Sequence, residues 1–183
     1  KPFRLEELLL RLKRVLRERQ LAKERFLMLG KLEKLAITDS LTALFNSRHF
    51  YSQLELEADR ANRYKRPLSI LFLDIDHFKE YNDTYGHIEG DNALFRIGQV
   101  ISSCLRIMDS AHRYGGEEFT VLLPETNGKK AVGVGKRIRS ATENQLFNPS
   151  PGKPVNLTIS IGVTQYCYKE DIKDFGQRAG EAR

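Results

Sequence analysis

The sequence contains little cysteine: its 183 residues include only Cys104 and Cys167, which lack the close spacing of metal ligands. This usage is typical of a reducing compartment and of a fold without a disulfide framework. The chain also lacks an apolar run long enough to span a membrane, and it lacks the pattern of a signal peptide. These absences predict a cytoplasmic protein with no membrane partner.

Acidic residues are outnumbered as well. Lysine and arginine number 30 against 24 aspartates and glutamates, which gives a net charge of +6. The first third of the chain is rich in basic residues on a predicted helix with few aromatic residues among them, so they indicate a solvated helical face rather than a nucleic-acid groove. The length predicts one globular domain with room for an appendage.

The first 35 residues carry a heptad pattern. Apolar side chains fill the a and d positions at Leu5, Leu8, Leu12, Val15, Ala22, Phe26 and Leu29. Arg19 is the one polar a position in this run. The pattern predicts a long helix that dimerises as a coiled coil. The alternative is an amphipathic helix packed on its own domain. Beyond Gly30 the apolar heptad pattern shifts by one residue, which predicts a change of heptad register or a bend in the helix there.

The rest of the chain alternates helices with strands, with a hairpin in the middle. A linker rich in capping residues, 38–46, precedes the first helix. The pattern predicts helices over 47–64, 77–85, 91–106 and 128–144, strands over 68–75 and 155–163, a hairpin around Gly115-Gly116, a loop over 148–154 and a helical end over 175–183. Asn46 or Ser47 is expected to cap the first of these helices and Asp91 the third. The succession predicts an α/β fold with a mixed or antiparallel sheet and helices packed on it.

Two acidic pairs fall where strands begin or end. Asp74 and Asp76 close the apolar strand that starts at Leu68, and Glu117 and Glu118 are expected at the tip or first rung of the hairpin. Carboxylates delivered to one place by two strands make a hard, oxygen-rich site suited to Mg²⁺ on the phosphates of a nucleotide. The alternative is a solvated turn.

Six short motifs occur in a fixed order: Asp39-Ser-Leu-Thr-Ala-Leu-Phe-Asn46, Asp74-Ile-Asp-His-Phe-Lys79, Asn82-Asp-Thr-Tyr-Gly-His87, Gly90-Asp91, Arg113-Tyr-Gly-Gly-Glu-Glu-Phe119 and Ser160-Ile-Gly-Val163. From about Asp39 onward the chain thereby resembles the GGDEF family of diguanylate cyclases, in the GGEEF form of its motif. The resemblance implies a fold like the polymerase palm and the nucleotidyl cyclases, with a largely antiparallel sheet of about five strands wrapped by helices. It also implies condensation of two GTP molecules into cyclic di-GMP with loss of two pyrophosphates.

The resemblance also implies roles for individual residues. Asp74, Glu117 and the backbone carbonyl of Ile75 would hold Mg²⁺, with Mn²⁺ as the alternative metal. Glu118 would be a further ligand or an orienting group. Glu117, Glu118 and Lys79 are the implied catalytic residues.

Substrate contacts follow from the same resemblance. The turn at His77, Phe78 and Lys79 would cradle the β- and γ-phosphates at a helix start. Asn82 and Asp91 would read guanine, although helix capping is the alternative for both. The implied rim of the GTP site consists of Arg113, Gly115 and Gly116, and Arg113 could instead only brace the hairpin.

A product-inhibition site is implied as well. Arg106-Ile-Met-Asp109 matches the family's RxxD motif, and Arg137 matches a second basic contact for cyclic di-GMP. The alternative is a surface ion pair.

The opening, Lys1–Leu9, resembles the end of a response-regulator receiver domain, and the chain begins without Met. We therefore expect a fragment of a receiver–GGDEF protein: residues 1–37 would be the receiver end and a helical stem, and 38–183 the cyclase domain with its C-terminus truncated. A cognate histidine kinase would phosphorylate the receiver, and a homodimer would bring two GTP-loaded domains face to face.

The chain departs from the family pattern at a few positions. Ala43 stands where a glycine is usual and Gly180 where an aspartate is usual, and the chain ends before the family's C-terminal lysine and arginine. One alternative function is therefore a catalytically silent GGDEF module that binds GTP or cyclic di-GMP as a signalling effector. Another is a basic coiled-coil scaffold for nucleic acid, which leaves the carboxylates unexplained.

Overall fold

The computed structural model describes residues 5–150, 152–172, 174, 175 and 178, without the side chains of 5–8, 31–34 and 153. It divides the chain into two compact units, residues 1–37 and residues 38–183. The helices of the described part are α1 (Leu5–Ile37), α2 (Ser47–Tyr64), α3 (Phe78–Tyr85), α4 (His87–Ser103) and α5 (Gly128–Glu143). Its strands are β1 (Phe45–Asn46), β2 (Leu68–Ile75), β3 (Ser110–Gly115), β4 (Glu118–Pro124), β5 (Leu146–Ser150), β6 (Lys153–Asn156) and β7 (Ile159–Gln165).

The first unit is a single helix. α1 runs through Gly30 as one continuous element. Its apolar heptad side chains are exposed wherever they are described, as at Leu12, Val15, Phe26 and Leu29. None of the helices, in the part of the chain that the structure describes, is long and apolar enough to cross a bilayer.

The second unit is built on a five-stranded sheet in the order β1-β3-β4-β2-β7. Only the short β1 is parallel to its neighbour; the other pairings are antiparallel. This confirms the predicted mixed, largely antiparallel sheet of about five strands. β2 lies between β4 and β7, and it covers the predicted strand residue for residue.

Two hydrophobic cores lie on opposite faces of the sheet. Side chains alternate along β2, so Leu71, Leu73 and Ile75 pack with α3, α4 and α5, whereas Ile70 and Phe72 pack under α2. Phe175, which is fully buried, joins the α2 side through an edge contact with Tyr166. Burial on both faces fixes β2 as the centre of the domain.

Several predicted boundaries are wrong. α4 begins at His87 rather than at Asp91, so Asp91 does not cap it and Gly90 lies inside the helix. The predicted loop 148–154 is instead largely a second, two-stranded sheet of β5 and β6. The predicted strand 155–163 is two strands, β6 and β7, separated at Leu157 and Thr158. The linker before α2 also contains a strand, β1, that sequence patterns did not reveal.

Other expectations are confirmed. Asn46 caps α2, since its side-chain oxygen accepts a hydrogen bond from the backbone N–H of His49 at 3.0 Å. The predicted helix over 128–144 is α5, and the predicted hairpin is β3–β4. Most of the predicted terminal helix, 175–183, lies outside the described residues.

The turn before β1 places a residue with a β-carbon in the left-handed region of backbone space. Ala43 has φ of +59°, and its N–H donates to the Asp39 carbonyl at 3.0 Å. A left-handed conformation costs a non-glycine residue about 1–2 kcal/mol, which explains why glycine suits this position.

We expect Ala43→Gly to raise the free energy of unfolding by about 0.5–1 kcal/mol, because relief of this strain exceeds the added flexibility of the unfolded chain. Chemical denaturation measures the change. Ala141→Gly in α5 is the matched control and should destabilise the domain, since glycine weakens helix interiors. Equal destabilisation by both substitutions would contradict the account.

Candidate active site

Oxygen-bearing side chains line up at one end of the sheet. Asp74, the penultimate residue of β2, is opposite Glu118 of β4 and opposite Ser160 of β7. Directly opposed residues in antiparallel strands have β-carbons about 4.5–5.5 Å apart. By alternation all three lie on the α2 face of the sheet, and each is at least partly exposed. We call the carboxylates of Asp74 and Glu118, together with the neighbouring hydroxyl of Ser160, the carboxylate row.

A tight turn beside this row connects β3 to β4. Gly115 is paired with Glu118, so Gly116 and Glu117 form a two-residue hairpin loop. Gly116 has φ of +49°, a conformation that glycine adopts without strain. We call Gly115–Glu118 the signature turn. The backbone therefore holds Glu117 next to the carboxylate row.

Arg113 braces the signature turn through hydrogen bonds to its backbone. Its Nε and Nη2 donate to the Gly116 carbonyl at 3.1 and 2.9 Å, and its Nη1 lies 3.3 Å from Asp39 Oδ1. Burial tends to raise the pKa of Asp39, but hydrogen bonds from Thr42 and the charge of Arg113 outweigh it and lower the pKa. Since these contacts occupy Arg113, its geometry favours the bracing interpretation over direct contact with GTP.

Asp76 has a structural role rather than a place in the carboxylate row. Its two carboxylate oxygens accept hydrogen bonds from Thr158 Oγ1 and Ser160 Oγ, each at 2.6 Å. Its N–H also donates to the Thr158 carbonyl at 3.0 Å. These bonds fasten the end of β2 to the start of β7.

The chain then turns sharply into α3. His77 precedes the helix with φ of +56°, and its side chain makes no capping hydrogen bond in the described part of the molecule. Phe78 is buried and anchors the first turn, whereas Lys79 is exposed. The first N–H groups of α3, which the His77 side chain does not cap, thus lie close to the end of β2, with a lysine beside them.

Asn82 and Asp91, the predicted guanine contacts, come from neighbouring helices. Asn82 Oδ1 is buried and has no hydrogen-bond partner among the described residues. A β-carbon built on Gly90 would lie 1.8 Å from that oxygen, so the glycine makes room for the amide. Asp91, the next residue, is exposed. A buried acceptor without a partner is costly unless a ligand N–H meets it.

A divalent metal fits the oxygen donors at the end of β2. No group of three or more His, Cys, Asp or Glu side chains is close enough to hold a metal in the part of the chain described. The predicted set needs no such group, because one of its donors is the Ile75 carbonyl and substrate phosphates complete the shell of Mg²⁺. The opposed Asp74 and Glu118 supply the hard oxygen chemistry that such an ion requires.

The predicted allosteric residues lie together elsewhere. Asp109 Oδ2 accepts from the Arg106 N–H at 2.9 Å, and the Asp109 N–H donates to the Arg106 carbonyl at 3.0 Å, which closes the Arg106–Asp109 turn. Arg137 of α5 donates to the Cys104 carbonyl at 2.6 Å, so it reaches the segment just before this turn. This hydrogen bond thus connects Arg137 to the segment that bears Arg106.

Comparison with known proteins shows which family the chain belongs to. The family model described as "Diguanylate cyclase, GGDEF domain" matches residues 36–183. The chain belongs to the GGDEF family of diguanylate cyclases. Diguanylate cyclases are nucleotidyltransferases, and the family recognised from the motifs is confirmed.

Named relatives show the same family over most of the chain. Diguanylate cyclase A of Treponema denticola is 41% identical over 158 residues, which cover 84% of this chain and 42% of that protein. Response regulator PleD of Caulobacter vibrioides is 39% identical over 142 residues, covering 77% of this chain and 31% of PleD. The chain therefore spans less than half the length of these curated relatives.

Solved structures of GGDEF proteins are also similar. The coiled coil and GGDEF domain of DgcB from Caulobacter crescentus, in complex with c-di-GMP, matches with a TM-score of 0.84 at 27% identity, over 93% of this chain and 91% of that one. Diguanylate cyclase SiaD of Pseudomonas aeruginosa, in complex with its activator SiaC, matches with a TM-score of 0.80 at 35% identity, over 97% and 68% of the two chains.

Sequence patterns missed several residues that shape the site. Asp39 was assigned to a linker and to the first family motif without a role of its own, yet it anchors Arg113; Thr158 was not singled out, yet it binds Asp76. Tyr51 of α2 was not singled out either, yet it is half exposed and contacts Tyr114 beside the signature turn. These contacts join residues 74, 82 and 63 positions apart, so local patterns contain no signal for them.

Proposed function

We propose that this GGDEF domain is a diguanylate cyclase that condenses two GTP molecules into cyclic di-GMP and two pyrophosphates. The observation that supports this best is the opposition of Asp74 and Glu118 on adjacent strands, beside a signature turn braced by Arg113. In this reaction the 3′-hydroxyl of each GTP attacks the α-phosphorus of the other, and each of the two attacks releases one pyrophosphate. The residues must therefore manage negative charge on phosphate oxygens.

Asp74, the carbonyl of Ile75 and Glu117 are our proposed metal ligands, with Glu118 as a further ligand or orienting group. The opposition of Asp74 and Glu118 supports this set. When bound, a divalent ion such as Mg²⁺ or Mn²⁺ would neutralise phosphate charge and lower the pKa of the attacking hydroxyl. The exposed Lys79 and the N–H groups after His77 would hold the β- and γ-phosphates.

Guanine would be held by Asn82 and Asp91. The buried Asn82 oxygen needs an N–H donor, and guanine offers both N1–H and an exocyclic amine. Asp91, exposed beside Gly90, would accept from the same edge of the base. Adenine, whose corresponding edge lacks that arrangement of donors, would leave these acceptors unpaired.

The reaction needs two domains, since each would hold one GTP. The exposed apolar heptad side chains of α1 support a homodimeric coiled-coil stem that brings two domains into reach of each other. A receiver domain before Lys1, phosphorylated by a histidine kinase, would regulate that pairing. The similarity to response regulator PleD agrees with this arrangement.

The surface formed by Arg106, Asp109 and Arg137 would bind the product and inhibit the enzyme. Arginine can donate two parallel hydrogen bonds to guanine O6 and N7, and a carboxylate can accept from the opposite edge. The hydrogen bond from Arg137 to the Cys104 carbonyl supports one binding site formed by all three residues, because it connects α5 to the segment just before the Arg106–Asp109 turn.

We expect Glu117→Gln to lower cyclic di-GMP formation by at least about 100-fold, because it removes a charged metal ligand without changing the size of the side chain. The assay measures cyclic di-GMP formed from GTP and Mg²⁺ by chromatography. Glu55→Gln, on an exposed position of α2, is the matched control and should keep full activity. A folded parent chain that dimerises, has been freed of bound cyclic di-GMP and still makes no product would rule out the enzyme and favour a silent binding module.

Gly90→Ala tests the guanine contact, because its new methyl group would displace the Asn82 amide. Loss of one buried hydrogen bond predicts a fall of about tenfold in kcat/KM for GTP. Gly133→Ala in α5 is the matched control, since a β-carbon there meets nothing within 4 Å. Equal values of kcat/KM for GTP in the two variants would contradict the proposed role of Asn82.

Arg106→Ala tests the product site. We expect the concentration of cyclic di-GMP that halves the initial rate to rise by at least about tenfold, because a bidentate contact is lost. The uninhibited rate should stay unchanged. Arg139→Ala, an exposed arginine of α5, serves as the charge-matched control. Inhibition of equal strength in both variants would argue against this site.

A further inference from the structure

We propose that Tyr51 of α2 is a positioning residue for the signature turn, which it holds through a hydroxyl–hydroxyl contact with Tyr114. The inference deepens the proposed function, since it concerns the same carboxylates. Tyr51 lies outside all six motifs of the sequence, and its hydroxyl is 63 positions away from its partner along the chain.

Tyr114 occupies a special backbone position. The register between β3 and β4 pairs Arg113 with Phe119 and then Gly115 with Glu118, so Tyr114 is the extra residue of a β-bulge. A bulge bends its strand and redirects the residues that follow it. The direction in which the signature turn leaves β3 therefore depends on how Tyr114 is held.

The Tyr114 ring is held by aromatic packing on the α2 face. It meets Phe72 edge-on with ring centroids 4.9 Å apart, and Phe50 with centroids 5.8 Å apart. Phe72 is two residues before Asp74 on the same face of β2, so Tyr114 connects the bulge to the strand that bears the carboxylate row. Such edge-to-face pairs restrict where the ring can lie.

The hydroxyl contact restrains the remaining freedom of the ring. The two phenolic oxygens of Tyr51 and Tyr114 are 2.5 Å apart, a short distance for an O–H···O bond. The hydrogen bond to Tyr51, followed by burial and the nearby charge of Glu118, raises the pKa of Tyr114 to about 12. The phenol of Tyr114 thus stays protonated near neutral pH, and the contact persists there.

Two consecutive residues thereby fix the turn through separate contacts. Arg113 donates a hydrogen bond to the Gly116 carbonyl and forms an ion pair with Asp39, whereas Tyr114 contacts Tyr51 of α2. Because Tyr51 is half exposed, its hydroxyl contributes little to global stability, whereas its loss would let the bulge and the carboxylates move. Small misplacements of reacting groups cost catalytic rate.

Tyr51→Phe tests the proposal, since it removes one hydroxyl and keeps the ring. Tyr64→Phe is the matched control, because Tyr64 is an exposed tyrosine of the same helix. Hydrogen exchange of the amides over residues 114–118, measured without nucleotide, should be about fivefold faster in Tyr51→Phe than in the control. In the same variant kcat should fall about fivefold, with KM for GTP and the melting temperature unchanged.

Tyr114→Phe and the double variant complete a thermodynamic cycle. If the two hydroxyls act on each other, the double variant should exchange no faster than either single variant. Exchange over 114–118 that matches the Tyr64→Phe control would overturn the proposal, as would an unchanged kcat in an active parent. An inactive parent would reject the proposed function, and hydrogen exchange would then decide whether Tyr51 holds the turn.

Discussion

The pairing of β2 with β4 is the constraint on which the whole site depends. It places Asp74 opposite Glu118 and brings the signature turn to the end of the central strand. Because side chains alternate along a strand, a slip of one residue would turn Asp74 to the opposite face of the sheet. Complete burial of Leu71 and Leu73 on one face and of Ile70 on the other prevents that slip, so the hydrophobic core sets the position of a charged site.

Tight turns around this strand pair and before β1 place the remaining groups. Gly116 adopts a left-handed conformation without strain, whereas His77 and Ala43 adopt it with a β-carbon present. Side-chain contacts then hold these turns: Arg113 binds Gly116, Asp39 binds Arg113, and Asp76 binds Thr158 and Ser160. Neighbouring residues thus hold the turns, and the carboxylates of Asp74 and Glu118 lie partly exposed at the end of the sheet.

Local patterns were enough to predict much of the fold. The bounds of β2 followed from a short apolar run closed by aspartate, the start of α2 from a capping asparagine, and the hairpin from a glycine pair. In each case the determining interaction lies within a few residues of chain. The family motifs then indicated which residues belong to the candidate site.

Features set by distant contacts could not be predicted in this way. The two-residue β1 exists because β3 offers it a parallel partner, and β5 and β6 form a sheet although proline and glycine in that segment indicate a loop. α4 begins at His87 because Gly86 ends α3, so the capping tendency of Asp91 is not used. The partners of Arg113 and Tyr114 likewise come from far along the chain.

The central claim is that the end of β2 and the signature turn form one metal–nucleotide site. The most direct test is a crystal structure with Mn²⁺ and a GTP analogue whose α–β bridging oxygen is replaced by a methylene group. The account predicts an anomalous peak within about 2.5 Å of carboxylate oxygens of both Asp74 and Glu117, with guanine beside Asn82. A fully occupied nucleotide whose metal contacts neither carboxylate would contradict it.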